Sequence, residues 1–229
     1  IVDIARRYDL FLIFDEIYEK LVYNPEERVS LSEIIGDVPG ISMKWISKDF
    51  PWPWARCGWI EVYNRDKDEN FKKYIQSVYA SKMLEVCSTT LPQYMIPLIY
   101  EDPRYNVYLQ ERIEKYKKRA EIVKEYFSDI DGVTYISPKW AFYFTVVFDL
   151  KKINTDYIPL IENTEIAKIV HKIIDGKRWD KRFCYTLLAT TWICIVPLSG
   201  FNSSYEWFRM TLLENNEEKF RNTLQTMKT

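Results

Sequence analysis

The stretch Leu10-Phe11-Leu12-Ile13-Phe14-Asp15-Glu16-Ile17-Tyr18 (LFLIFDEIY) decides the fold. Leu10–Phe14 is an unbroken apolar run of strand length, as expected of a central parallel strand buried on both faces. It follows the amphipathic end of a helix, IVDIARRY at residues 1–8, and it stops at Asp15. In open α/β sheets ligands gather outside the carboxyl ends of parallel strands, so Asp15 stands where chemistry is usually done. The simpler role for such an aspartate is a turn or a helix N-cap.

Working outward, residues 24–42 form a polar connection with Pro25, Gly36, Pro39 and Gly40 and a short helix around Leu31–Ile35. Ser42–Ser47 reads as the next strand, ending at Lys48. After it come Phe50-Pro51-Trp52-Pro53-Trp54, Arg56 eight residues beyond the lysine, and a strand Gly58–Tyr63 that alternates like an edge or hairpin partner. A lysine at a strand end, beside hydroxyl and guanidinium groups, is what a phosphate-bearing aldehyde cofactor requires. The amine forms a Schiff base while Ser47 and Arg56 hold the phosphate. The bland alternative is a surface lysine in a Trp/Pro-rich loop.

Further on, Asp66–Met83 and residues 92–101 read as helices. Arg104–Phe127 is the longest helical pattern, with Tyr105, Leu109, Ile113, Tyr116, Ala120, Val123 and Phe127 at three- and four-residue spacing. Its charged face is a solvated one, laced by pairs such as Glu111–Lys115. The helix suits a connector from an α/β region, 1–104, into a second region, 105–229. There, strands near Val133–Ile136 and Phe142–Phe148 precede helices over Thr164–Ile174 and near Arg182–Leu188. Strands at Trp192–Val196 and Trp207–Leu212 and a helix over 214–227 complete an α+β layout.

The 229 residues exceed one average domain, and 47% are hydrophobic. Thirty-two basic and 33 acidic residues leave a net charge of −1, which gives no electrostatic argument for nucleic acid or anionic membrane. Cys57, Cys87, Cys184 and Cys194 are widely spaced, form no CxxC pair and lie far from the single histidine, His171. The spacing argues against a metal site and for reduced, buried thiols in a cytoplasmic protein. No apolar run is long enough to span a bilayer. The chain begins at Ile1 inside a helical pattern, as the later part of a longer protein would.

Several pieces occur in order: Asp15-Glu16-Ile17-Tyr18; Ser47-Lys48 with Arg56 and Gly58-Trp59; Pro138-Lys139-Trp140-Ala141-Phe142-Tyr143; Pro197-Leu198-Ser199-Gly200-Phe201; and Phe208-Arg209. Together they resemble the pyridoxal-phosphate-dependent aminotransferases of fold type I, the aspartate/alanine aminotransferase-like class. The resemblance implies an α/β fold: the later part of a large cofactor-binding domain, mainly a parallel sheet with helices, at 1–104, then an α+β small domain at 105–229. It implies pyridoxal 5′-phosphate as cofactor, amino transfer between an amino acid and a 2-oxo acid, and a homodimer. Lys48 would carry the Schiff base and shuttle the substrate proton. Asp15 would pair with the pyridine nitrogen, Tyr18 would donate to the ring's phenolic oxygen, and Ser47 and Arg56 would bind phosphate. Arg209 would grip the substrate carboxylate as a bidentate fork.

Three departures from the family pattern matter. Its earlier half, with the glycine-rich turn and the ring-stacking aromatic, is absent from this chain. Trp54 and Trp140 stand where the family has glycine, implying rebuilt local geometry, whereas Asn202 is a milder change because asparagine tolerates left-handed backbone. Glu85 lies nearest to the additional arginine of dicarboxylate-specific members, which leaves neutral, aromatic or basic substrates open. Two other functions remain compatible with these residues: a carbon–sulfur lyase of the same fold, and a degenerate, non-catalytic subunit.

Overall fold

The computed structural model describes residues 1–156 and 158–228, and the chain divides into two compact units, Ile1–Ile113 and Glu114–Thr229. The division falls inside the long helix.

In the first unit, helix α1 (Val2–Arg7) leads into strand β1 (Leu12–Asp15). Helix α2 (Leu31–Ile34) follows, opened by a capping box in which Ser30 and Glu33 satisfy each other's backbone N–H groups. Strands β2 (Gly40–Trp45) and β3 (Gly58–Tyr63) complete a sheet of order β1-β2-β3. β1 runs parallel to β2, with Asp15 opposite Met43, and β3 returns antiparallel, with Gly58 opposite Trp45. Gly58–Tyr63 is thus the hairpin partner its alternation suggested. Helices α3 (Glu69–Lys82) and α4 (Thr90–Glu101) follow, α3 capped by the Asp68 carboxylate on the Phe71 N–H at 2.6 Å.

Two expectations change here. The first strand starts two residues later and ends one residue later than Leu10–Phe14, and it is not buried on both faces: Ile13 is 49% exposed and Phe11 is also exposed. Within the described residues β1 pairs on one side only, and the side chains of Phe11 and Ile13 are left partly uncovered. The cysteines are not uniformly buried either. Cys57 and Cys184 are, while Cys87 and Cys194 are exposed; all four are free thiols.

Helix α5 (Arg104–Phe127) spans the whole predicted stretch. In the second unit, strands β4 (Val133–Ile136) and β5 (Tyr143–Phe148) precede helices α6 (Thr164–Ile174) and α7 (Trp179–Thr191). Strands β6 (Val196–Pro197) and β7 (Trp207–Thr211) and helix α8 (Glu217–Lys228) follow. The sheet has order β4-β5-β7-β6 with every pairing antiparallel. Phe144, Val146 and Phe208 are fully buried on one of its faces. Phe208 stacks there on Phe183 of α7, with ring centroids 5.8 Å apart. The expected strand Trp192–Val196 shrinks to Val196–Pro197, because α7 continues to Thr191 and Trp192 caps it in left-handed backbone at φ 63°. Among the described residues no helix is long and apolar enough to cross a membrane.

Gly58 is the glycine that the first sheet cannot replace. A Cβ there would lie 2.6 and 2.8 Å from Trp45 ring carbons and 2.9 Å from the Lys44 carbonyl oxygen. Gly58→Ala is expected to destabilise the protein by about 1–3 kcal/mol, read as a lowered urea midpoint; an unchanged midpoint would show that Trp45 moves aside freely.

Candidate active site

The parallel pairing of β1 with β2 brings two sequence segments to one edge of the sheet. Asp15 is the last residue of β1, and β2 ends at Trp45, immediately before the turn that carries Ser47 and Lys48. Because β3 starts opposite Trp45, Arg56 emerges at this edge as well. Asp15, Tyr18, Ser47, Lys48 and Arg56 therefore all leave the carboxyl edge of the parallel pair. Arg209 belongs to the second unit and is described separately.

Asp15 is exposed, and its Oδ1 accepts the Ile17 N–H at 3.2 Å. The turn role is thus present, and it occupies one carboxylate oxygen. Tyr18 is half-buried, and its carbonyl accepts the Leu21 N–H at 2.9 Å as a one-turn helix opens. Arg56 is exposed and holds left-handed backbone, φ 49° and ψ 42°, with Nη1 donating to the Pro53 carbonyl at 3.1 Å.

Neither tryptophan at a family glycine position itself takes left-handed backbone. Trp54 sits in a one-turn helix, 89% exposed. Positive φ falls two residues on, at Arg56, and directly after Trp140 on Ala141 at φ 61°. Asn202 does take left-handed backbone, φ 58°. Glu85 is engaged by Lys82, whose ammonium also donates to the Ser88 hydroxyl at 3.0 Å.

Sequence reasoning missed what holds the lysine turn. Arg112, on α5, donates from Nη1 to the Lys48 carbonyl at 3.0 Å and to the Asp49 carbonyl. Asp49 is only 4% exposed. Its carboxylate accepts the Tyr100 hydroxyl at 3.0 Å and the Phe50 N–H at 2.9 Å. Phe50 in turn stacks on Tyr105 at 5.0 Å and meets Tyr100 edge-on at 5.4 Å. Below the turn, Ile46, Ala55 and Cys57 form a buried cluster with Trp52, Trp59 and Ile96 packed on it. Burial pushes the Asp49 carboxyl above its ordinary range, against the opposing hydrogen bonds from Tyr100 and Phe50.

A second anchor lies behind Asp15. The backbone N–H of Glu16 donates to the Met43 carbonyl at 3.0 Å. Its carboxylate accepts the Leu31 N–H at 2.7 Å and the Ser42 hydroxyl. Lys44 reaches Glu61, Glu19 and Glu16 at 3.4, 3.6 and 3.7 Å. Burial alone would lower the Lys44 pKa, but the three carboxylates outweigh it and hold the ammonium above its ordinary value. Glu16 was visible only as part of a motif; its partners are 15 to 28 residues away in sequence.

In the second unit Arg209 lies on β7 against two rings, its guanidinium carbon 4.3 Å from the centre of Tyr143 and 4.4 Å from that of Phe201. The ion pairs found among the described residues do not include Arg209.

The sequence signature of the family described as aminotransferase class I and II matches residues 1–226. An uncharacterized aminotransferase of Methanocaldococcus jannaschii is 48% identical over 227 residues, covering 99% of this chain and 52% of that protein. A probable mitochondrial alanine aminotransferase of Dictyostelium discoideum is 26% identical over 237 residues, covering 95% and 41%. Among solved structures, an alanine aminotransferase from Pyrococcus furiosus superposes with a TM-score of 0.79 at 22% identity, over 100% of this chain and 51% of that one. At that identity the likeness establishes the fold. The chain spans about half the length of the curated relatives it matches.

The buried Asp49 makes stability depend on pH. The unfolded chain releases this proton in the ordinary aspartate range, whereas the folded chain holds it to higher pH. Stability from this group therefore falls as pH rises through that window. Asp49→Asn keeps an acceptor for Tyr100 and removes the buried charge. It is expected to raise the urea midpoint at pH 7 and to flatten the decline between acid and neutral pH; an equal midpoint and slope would count against a buried charge at Asp49.

Proposed function

The chain belongs to the class I and II aminotransferases, and from this we propose that it is the later part of a pyridoxal-phosphate-dependent enzyme that transfers an amino group between an amino acid and a 2-oxo acid. The observation that carries the proposal is the position of Lys48, on an anchored turn at the carboxyl edge of a parallel strand pair whose other member ends in Asp15.

The donor set at this edge fits pyridoxal phosphate: an amine, a carboxylate, a phenol, a hydroxyl and an exposed guanidinium with one N–H donated to Pro53. When bound, the cofactor supplies an aldehyde for covalent attachment and an electron sink for the amino acid's α-carbon. Lys48 contributes the attaching Nζ and then takes and returns the proton of the substrate α-carbon. Arg112 supports this by fixing the carbonyls of Lys48 and Asp49, so the amine is carried on a restrained backbone. Asp15 has one carboxylate oxygen bonded to Ile17, which orients the other to hold a proton on the ring nitrogen. Tyr18 donates its phenol proton to the ring oxygen. Ser47 and Arg56 take the phosphate, the arginine through a charge-assisted fork. Arg209 takes the substrate carboxylate.

Trp54 and Trp140 take no left-handed backbone, so neither carries the strain of a side chain at positive φ. We place the enzyme in the cytoplasm as a homodimer, on the resemblance alone.

The test is chemical. Borohydride treatment of the full-length protein with pyridoxal phosphate should fix the cofactor on the peptide that contains Lys48. In Lys48→Ala that adduct should vanish, and amino transfer to a 2-oxo acid should fall to background. The same adduct yield in the variant, or a fixed cofactor on another lysine, would remove Lys48 from the role. Release of pyruvate or ammonia without a 2-oxo acid would assign elimination instead.

A further inference from the structure

Tyr18 is carried by a tight turn, Glu16 to Glu19, that is closed twice. The backbone closure is the Glu19 N–H donated to the Glu16 carbonyl at 3.0 Å. Tyr18 takes the third place of this four-residue turn with φ −111° and ψ 7°, in the sparsely populated backbone region that such turn positions occupy. The second closure runs through side chains. Lys44 of β2 places its ammonium 3.7 Å from the Glu16 carboxylate and 3.6 Å from that of Glu19. One cation therefore joins the two residues that flank Ile17-Tyr18.

Lys44 is itself held in place. Ser42 and Lys44 alternate onto one face of β2, and the Ser42 hydroxyl donates to the same Glu16 carboxylate. Glu61, opposite Ser42 on β3, approaches the ammonium from the neighbouring strand at 3.4 Å, and its carboxylate accepts the Tyr63 hydroxyl at 2.6 Å. Lys20 and Arg28 meet Glu19 at 3.4 and 3.6 Å, so three carboxylates face three cations. Side-chain exposures of 18% for Lys44, 5% for Glu16 and 8% for Glu19 spare these charges the screening that surface pairs undergo. Burial costs such groups much of what their attraction gains, so a cluster of this kind contributes little net stability.

We infer that Lys44 is a positioning residue: by drawing Glu16 and Glu19 together across Ile17-Tyr18, it fixes the direction in which the turn presents the Tyr18 phenol at the carboxyl edge of the sheet. The inference rests on the proposal that Tyr18 donates to the ring oxygen of the cofactor. Such a hydrogen bond tolerates little misplacement, because it weakens steeply with angle and distance. Lys44 also lies on the strand that ends at Trp45, just before the Lys48 turn. One side chain thus ties the turn that bears the phenol to the strand that leads to the amine.

The experiment follows the visible absorbance of the full-length protein loaded with pyridoxal phosphate as pH is varied, without substrate. Phenol donation favours the form in which the ring oxygen is anionic, and so lowers the pH midpoint of the absorbance change. Tyr18→Phe is expected to raise that midpoint by about 1–2 pH units. Glu19→Gln opens the side-chain closure and should raise it by about 0.5–1 unit, whereas loss of a nearby anion alone would lower it. Lys44→Gln should raise it likewise, and Lys44→Arg should keep the wild-type value. In a Tyr18→Phe background neither Glu19→Gln nor Lys44→Gln should add to the shift. Glu19→Gln carries the test alone should Lys44→Gln not fold. A lowered or unchanged midpoint in Glu19→Gln, or a full additional shift in the Tyr18→Phe background, would overturn the positioning role and leave the Tyr18 assignment standing. An unchanged midpoint in Tyr18→Phe would remove Tyr18 from the ring oxygen, and the role of Lys44 with it.

Discussion

The parallel pairing of Leu12–Asp15 with Gly40–Met43 is the constraint on which the candidate site depends. Parallel strands end at the same edge, so the chain that leaves Asp15 and the chain that leaves Trp45 enter the same region of space. An antiparallel pairing would have put Asp15 and Lys48 at opposite ends of the sheet. The hairpin return of β3 then adds Arg56 to that edge, and Gly58 admits the return because Trp45 lies across its Cα. Glu16 reinforces the pairing, with its N–H on Met43 and its carboxylate on Ser42, both residues of β2.

The two arginines of interest solve different mechanical problems. Arg112 spends its donors on backbone carbonyls, which turns a Trp/Pro-rich loop into a fixed mount for Lys48. Arg209 instead packs its guanidinium against two rings. Guanidinium serves both uses because it combines a rigid, planar fork of N–H groups with a weakly hydrated face. Lysine could do neither in the same geometry.

Much of the fold was legible in the sequence because it is written in local periodicity. Helices Arg104–Phe127 and Thr164–Ile174 have the bounds that their spacing predicts. Where local pattern and tertiary setting part, the reading slips. The Trp192–Val196 run has strand composition, yet α7 extends to Thr191, with the Thr190 and Thr191 hydroxyls bonded to carbonyls of the preceding turn. The run at Leu10–Phe14 reads as buried on both faces, yet within the described residues Phe11 and Ile13 are exposed, because side-chain cover comes from elements that the run itself does not encode. The candidate site residues stand out in the sequence as motif members. Their supports were not, since Arg112 meets Lys48 across 64 residues and Phe201 meets Arg209 through a turn whose shape no spacing encodes. Asp49 and Tyr100 are likewise partners across 51 residues.

Left-handed backbone at Arg56 sets stability and chemistry against each other. A side chain with a Cβ in that conformation costs about 1 kcal/mol relative to glycine, so glycine is the residue that folding alone would choose at this position. Glycine would also delete the guanidinium from the edge of the sheet. Selection for thermal robustness by itself would therefore push position 56 toward glycine and remove the positive charge. Arginine in such backbone is thus held against a folding cost, and what stands against that cost is a positive charge exposed at the edge of the sheet.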